Sequence, residues 1–301
     1  MNKIKSYFSR KFKYLLTIIS PKLNTAIVFL WTHKKYPNFR NPKSFHEKLC
    51  YLKLYSYPKN QLAIKCSDKV RVREYVNECK LGNLLNEMIA IYKDPKEINW
   101  NDLPNRFVIK WNFGSTFNII CENKFSFNSK KSIIQLKKWK KRRSHLSSAE
   151  FHSRVIEKKL ICEEYLDDAF EKSLVDYKAY CFNGEPKVIL VIFNRFNNKK
   201  AVFMDPEWNV IGTSKNYNNT KFLPKKPNNL DVFLNAARIL SKPFDFVRVD
   251  FYYTTKGWKF GELTFTPGGS VTASSIDVNG KNMGELLKIT DLTLGEQTGI
   301  K

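Results

Sequence analysis

"VRVDFYYTTKGWKFGELTF", residues 247–265, contains two runs of β-branched and aromatic residues joined by Thr-Lys-Gly, the mark of a β-hairpin. With Thr255, Lys256 and Gly257 as a three-residue loop, the glycine takes the left-handed position. Thr254 then faces Trp258, and counting back along both strands sets Asp250 opposite Glu262. Strand alternation puts Arg248, Asp250, Glu262 and Thr264 on one face, and Val249, Phe251, Leu263 and Phe265 on the other. Two opposed carboxylates stand with their Cβ atoms about 5 Å apart and repel. A hard divalent cation held by one or two carboxylates and by substrate phosphates would make such a pair favourable. The competing reading is a solvated polar face that carries two acids by accident.

The whole-chain charge favours an anionic partner. Lys and Arg total 52 against 28 Asp and Glu, a net charge of +24, which suits a nucleotide, nucleic acid, acidic polysaccharide or anionic lipid. A chain of 301 residues allows one large domain or two to three lobes with a substantial core. The six cysteines are scattered with no Cys-x-x-Cys, so they read as reduced, mostly buried thiols rather than as a zinc knuckle or redox pair. No two of the four histidines have His-x-x-x-His spacing.

At the amino terminus ten Lys or Arg precede the first acid, Glu47. The apolar run 14–31 is interrupted by Ser20-Pro21-Lys22 and by Asn24, which argues against a spanning helix. No small-residue cleavage site follows, which argues against a signal peptide. Residues 1–40 therefore read as a basic amphipathic arm. It either lies on an anionic membrane surface, the preferred reading, or packs on the body as a helix. The expected location is cytoplasmic, at the inner face of a membrane.

Further along, "NPKSFHEKLCYLKLYS" reads as a helix capped by Ser44, and Ser67 or Asp68 as the cap of a second helix over 68–80. Strands are expected in "EMIAIYK", on both sides of the loop in "RFVIKWNFGSTFNIICEN", and in "KLICEEYL", "LVDYKAYCF" and "PKVILVIFNRF". "AVFMDPEWNVIG" reads as a hairpin. "SKKSIIQLKKWKKRRSH", "NNLDVFLNAARILSK" and "NMGELLKI" read as helices. Several antiparallel hairpins mixed with helices indicate an α+β class rather than a doubly wound sheet.

Charged residues fall in a telling order. Lys69 heads a helix, Lys110 ends a strand before a loop with Asn112, Gly114 and Ser115, and Glu163 and Glu164 close another strand. Asp176 and Lys178 follow, Arg195 ends a strand, and the hairpin supplies Arg248, Asp250 and Glu262. Lysines beside a small-residue loop can bind phosphates as point charges while backbone N–H groups cradle the oxygens. The segments "DKVRVREYV", "FVIKWNFGSTFNII", "LICEEYL", "DYKAYCFNGEPKVI" and "FVRVDFYYTTKGWKFGELTFTPGG", with "NPKSFHEKLCYLKLY" ahead of them, resemble the TupA-like branch of the ATP-grasp superfamily over roughly residues 41–289. That branch is associated with teichuronopeptide and other bacterial surface-polysaccharide clusters.

The resemblance implies an ATP-grasp fold, two α/β lobes with mainly antiparallel sheets clasping ATP, plus the basic N-terminal helical arm. It implies a helical region over 41–105, a small subdomain over 106–166, a large one with the metal site over 167–290, and a tail over 291–301. Lys69 and Lys110 would contact the phosphates, and the loop 112–118, with Asn112, Gly114 and Ser115, would close over them. Glu163, Glu164, Tyr165 and Leu166 would form the hinge that reads adenine, with Asp176 near the ribose. Asp250, Glu262 and Thr264 would hold one or two Mg2+ ions, and Arg248, Lys178 and Arg195 would act on the phosphoryl group or the substrate carboxylate. Two departures stand out. "NFGSTFN" carries Phe113, Thr116 and Phe117 where the family has a His and two Gly, and Thr264 replaces an Asn ligand.

The implied activity is an ATP-dependent carboxylate–amine ligase acting through an acyl phosphate. A uronic or amino acid would supply the carboxylate during capsule, O-antigen or wall-polymer assembly. An acidic or lipid-linked polysaccharide is the expected larger partner. Two alternatives remain: a glycosyltransferase of the same pathways, although no Asp-x-Asp occurs, and a basic nucleic-acid-binding module, although no aromatic RNA motif or zinc finger is visible.

Overall fold

A computed structural model describes residues 2–155, 157–194, 199–213, 223–278 and 280–292. Ser20 and Pro21 divide the apolar N-terminal run into two helices, α1 (Asn2–Ile19) and α2 (Pro21–His33). The Ser20 Oγ accepts from the Leu23 N–H at 3.2 Å and Pro21 opens α2, where its missing N–H costs nothing. The arm is a helical hairpin packed on the body. Phe29 is fully buried with Tyr51, Tyr55 and Val271, and burying such a ring contributes about 1.5–3 kcal/mol.

Helix α3 (Phe45–Tyr51) starts at a capping box formed by Ser44 and Glu47 and runs into a π-helical turn, Leu52–Ser56. Asn60 caps α4 (Gln61–Cys66), which the sequence patterning did not mark. Helix α5 (Val72–Glu78) is shorter than expected. Asp68 Oδ1 accepts from the N–H groups of Val70 (2.8 Å) and Arg71 (3.4 Å), which makes residues 68–71 a turn ahead of the helix.

Two antiparallel sheets follow. The first joins β1 (Met88–Tyr92), β2 (Phe107–Trp111), β3 (Asn118–Cys121) and β4 (Leu160–Glu164) in the order β1-β4-β2-β3. Helices α6 (Ser129–Lys140) and α7 (Ser144–Ser147) lie between β3 and β4 in the chain, and Leu136 of α6 joins Phe107, Ile109, Trp111 and Leu160 in one core. The second sheet contains β5 (Asp176–Phe182), β6 (Glu185–Phe193), β7 (Lys200–Met204), β8 (Val210–Thr213), β9 (Phe246–Thr254) and β10 (Gly257–Thr264). Its order is β10-β9-β5-β6-β7-β8, antiparallel throughout.

Strands β5 and β6 are largely buried on both faces because both are covered. Helix α8 (Leu230–Ser241) places Phe233, Ala236, Ala237 and Leu240 in the same core as Phe45 and Leu49 of α3. The closing segment forms only one turn, α9 (Met283–Leu286). All six cysteines are free. The architecture is α+β, as the alternation of hairpins and helices predicts. Arg195 lies outside the described residues.

Candidate functional site

The β9–β10 hairpin sets the register of the site. Asp250 pairs with Glu262, as the count from the loop predicts, but by a different route. Gly257 pairs with Thr254 and Trp258 with Tyr253, one residue tighter than expected, and a bulge at Gly261 restores the offset. Glycine is required there, because a Cβ would stand 2.9 Å from the Asp250 carbonyl oxygen.

Cations gather around this pair. The Arg248 guanidinium donates to both oxygens of Asp250, Nε to Oδ1 and Nη2 to Oδ2, each at 2.7 Å. Arg248 Nη2 also donates to Thr264 Oγ1 at 3.1 Å. Lys178 on β5 sits across from Asp250 in the sheet and donates to its Oδ2 at 2.5 Å, with Asp176 Oδ1 at 3.1 Å. Burial opposes charge on Lys178, yet Asp250 and Asp176 hold its pKa above the ordinary lysine value. Glu262 is the open acid, with its side chain 40% exposed. Lys69 Nζ stands 3.7 Å and Arg248 Nη2 3.9 Å from its oxygens. Burial alone would raise the Glu262 carboxyl, but Lys69, Lys178, Arg248 and Lys110 together hold it below the usual range. Lys69 and Arg248 are thus the cations within 4 Å of this carboxylate, and Lys178 is held on the neighbouring Asp250.

The first sheet supplies the other side. Lys110 on β2 pairs with Glu163 on β4 at 2.7 Å, and Arg73 on α5 stands 3.6 Å from the same carboxylate. Lys69 Nζ donates to the Gly114 carbonyl at 2.9 Å, tying the loop after β2 to the helix region. Gly114 has φ +69, and a Cβ there would strike the Phe117 ring at 2.6 Å. Phe113 and Phe117 do not simply crowd the loop. Phe113 is buried against Trp111, and Phe117 stacks on Trp139 of α6 at 5.6 Å. Aromatic anchoring thus replaces glycine flexibility, and Thr116 is left at φ +63.

Three residues expected at the ligand have partners within the fold. Asn112 is fully buried and turned from the cleft, donating to Asp68 Oδ2 (2.8 Å) and the Glu157 carbonyl (3.0 Å) and accepting from the Lys159 N–H (2.9 Å). It fastens the loop rather than touching a ligand. The Glu164 backbone is already used, its N–H by the Glu87 carbonyl (3.1 Å) and its C=O by Asn86 Nδ2 (3.1 Å), and its side chain is paired with Lys256. Next in the chain, Tyr165 has the Arg106 guanidinium 4.0 Å over its ring. Asp176 is buried beside Lys178, not open to a ribose hydroxyl.

A cavity of about 490 Å3 opens between the two sheets, with Lys69, Ser115, Arg248 and Glu262 at one end. Its other wall was missed by the sequence reading. That wall contains Ser147, Ser148, Glu150 and His152 from the segment around α7, facing Thr266 and Gly268. The density of polar residues in "SHLSSAEFHS" and the "TPGG" turn were the available signals. Glu150 accepts from Thr266 Oγ1; burial raises its pKa, partly offset by that bond and by Lys53. Burial and Lys53 push the His152 imidazole down to about 3, so it is neutral. Lys53 is itself buried, donating to the carbonyls of Ser148 (2.9 Å) and Gly269 (3.0 Å).

The donors at Asp250, Glu262 and Thr264 are all oxygens, the set that a hard cation such as Mg2+ takes. Glu262 fits best: its Oε1 accepts the Thr264 hydroxyl at 3.2 Å, while the nearest ammonium and guanidinium groups stay beyond hydrogen-bond reach. Asp250 accepts three charge-assisted bonds, which leaves about one of the roughly four acceptor positions of a carboxylate. No cluster of three or more His, Cys, Asp or Glu able to hold a metal occurs among the described residues. An ion here would need phosphate or water oxygens as further ligands, and the donor set fits that arrangement.

Comparison with known proteins gives one family. The model described as TupA-like ATPgrasp matches residues 47–288, which include every site residue described above. Among solved structures, the D-alanine–D-alanine ligase of Bacillus anthracis is similar at 15% identity and a TM-score of 0.43, over 70% of this chain and 60% of that one. The D-alanine–D-alanine ligase of Helicobacter pylori is similar at 13% and 0.40, over 76% and 64%. An L-amino acid ligase of Bacillus licheniformis is similar at 10% and 0.43, over 75% and 49%. The chain covers less than two thirds of each of these structures. No curated protein matches it.

Proposed function

The chain belongs to the TupA-like ATP-grasp family, and from that premise we propose that it is an ATP-dependent carboxylate–amine ligase. The observation that supports the reading is the placing of Lys69 and Arg248 beside Glu262 in the wall of the 490 Å3 cavity, with Lys178 on the neighbouring Asp250 and Lys110 on Glu163. A carboxylate oxygen takes the γ-phosphoryl of ATP with release of ADP, and an amine then displaces phosphate to leave an amide. Such chemistry rests on positioning and on neutralising phosphoryl oxygens.

Lys69 and Lys110 hold the phosphates in this reading, and the backbone of Gly114 and Ser115 lies over them. Tyr165 and Leu166 offer backbone groups to adenine. Arg248 and Lys178 exchange part of their hold on Asp250 for the transferred phosphoryl group. Glu262, Asp250 and Thr264 would bind magnesium, one or two ions, which when bound neutralises phosphate charge. The hydroxyl-rich wall of Ser147, Ser148 and Thr266 suits a polar substrate, and a uronic or amino acid of bacterial surface-polymer assembly fits the family association.

The test is ADP and phosphate release with magnesium, ATP, and panels of uronic acids, amino acids and amines. Release that requires both a carboxylate and an amine is expected. ADP release indifferent to both, or unchanged in Asp250→Ala, would overturn the assignment.

A further inference from the structure

The α1–α2 hairpin buries one side against the body and leaves the other side apolar and bare. Ile18 and Ile19 at its tip are 67% and 65% exposed, and Leu15 and Leu23 flank them. Phe12 stacks on Trp31 at 6.3 Å across the two helices, and Trp31 is 53% exposed. These side chains form one ridge, since 12, 15 and 19 share a face of α1 and 23 and 31 share a face of α2. Scattered surface apolar residues need no explanation; a contiguous ridge does. Lys11, Lys22, Lys34 and Lys35 are exposed on the same hairpin, and no acid precedes Glu47.

We propose that this hairpin docks on an anionic lipid bilayer, inserting Leu15, Ile18, Ile19 and Leu23 below the headgroups with Trp31 at their level. Charge chooses the occupant. A second copy seated patch to patch would bring lysine against lysine, whereas an anionic surface neutralises them. An apolar face rimmed by Lys, with an interfacial Trp, is what a helix lying in the headgroup region presents. No helix among the described residues is long and apolar enough to cross the membrane, so the contact is peripheral.

Docking also orients the cleft. Thr17 Oγ1 of α1 donates to the Leu146 carbonyl of α7 at 2.7 Å, and Ser147, the next residue, lines the 490 Å3 cavity. A smaller cavity, about 270 Å3, lies between Asn24 and Thr25 of α2 and the Gly268-Gly269 turn. The end of the cleft away from the proposed phosphate site is therefore the end that adjoins the docked hairpin. This orientation is independent of which reaction the cleft performs.

Flotation of the full chain with vesicles tests the proposal. The protein is expected to float with phosphatidylethanolamine–phosphatidylglycerol vesicles and not with pure phosphatidylcholine, and added salt should weaken binding. Ile18→Asp/Ile19→Asp should cut binding at least tenfold with thermal stability unchanged, because both side chains are exposed. Lys11→Glu/Lys22→Glu should do the same. A wild-type chain that stays in the soluble fraction would overturn the proposal, as would an Asp variant that still floats. A dimer that the Asp variant dissolves, without vesicle binding by the wild type, would assign the ridge to a second copy instead.

Discussion

Asp250 and Glu262 face each other across the β9–β10 ladder because Gly261 bulges out of β10. Without that extra residue the acid on β10 would register one position away and turn to the opposite face, where Val249 and Phe251 enter the core.

Gly261→Ala is therefore expected to destabilise the chain by about 1–3 kcal/mol, because the new methyl meets a backbone oxygen that cannot move alone. Urea denaturation measures this. A variant as stable as the parent, with unchanged turnover, would remove the bulge from the account.

Glu262→Gln keeps the shape of the side chain and removes its charge from beside Lys69 and Arg248. Since the side chain is partly exposed, the fold should persist. Turnover should fall by about 10²-fold or more, the scale of losing a charge-stabilising group in a site of this kind. The magnesium dependence of ADP release should shift to higher concentration.

Much of this site was legible in the chain. The order of Lys110, Lys178, Arg248, Asp250 and Glu262 is local information, because each sits on a strand that patterning identifies, and Lys69 lies in the turn just before α5. What was not legible depended on long-range contact. Asn112 looks like a loop ligand until Asp68, some forty residues earlier, is seen to hold it. Asp176 and Asp250 look free until Lys178 is placed between them. Glu150 and His152 lie in a segment with no clear periodicity and gain their importance only by facing Thr266. The hairpin turn was read one residue too long, and the bulge compensated, so a correct pairing came from an incorrect loop.

Thr116 adopts a left-handed backbone that costs a non-glycine residue roughly 1–2 kcal/mol. Thr116→Gly relieves this at an entropic cost of about 0.5–1 kcal/mol, so a net gain of up to ~1 kcal/mol is expected. Phe113 and Phe117 remain to anchor the loop. A loss of stability in the glycine variant would mean that the Thr116 side chain holds the loop in a way its backbone strain does not reveal.

The buried imidazole of His152 makes stability depend on pH. Below about 6.5 the unfolded chain binds a proton there, while the folded chain refuses it until about 3. Stability should therefore fall as pH falls through this window, by up to ~1.4 kcal/mol per pH unit from this group. Glu150, whose pKa burial raises, titrates in the opposite sense, so the comparison must be with His152→Gln, in which the imidazole contribution vanishes. Denaturation midpoints of the two proteins between pH 6.5 and 4.5 should converge as pH is lowered if the variant begins less stable. Parallel curves would show that His152 is protonated in the fold.

In the proposed site, Lys69, Lys110, Lys178 and Arg248 hold the triphosphate beside Glu262. Calorimetric titration of the chain with a non-hydrolysable ATP analogue and magnesium, repeated on Lys110→Met and Lys178→Met, tests it most directly. Saturable binding to the parent, weakened about tenfold or more in each variant as expected for loss of a charge-assisted phosphate contact worth ~1.5–3 kcal/mol, is the predicted result. No binding to the parent, or equal binding to all three proteins, would contradict it.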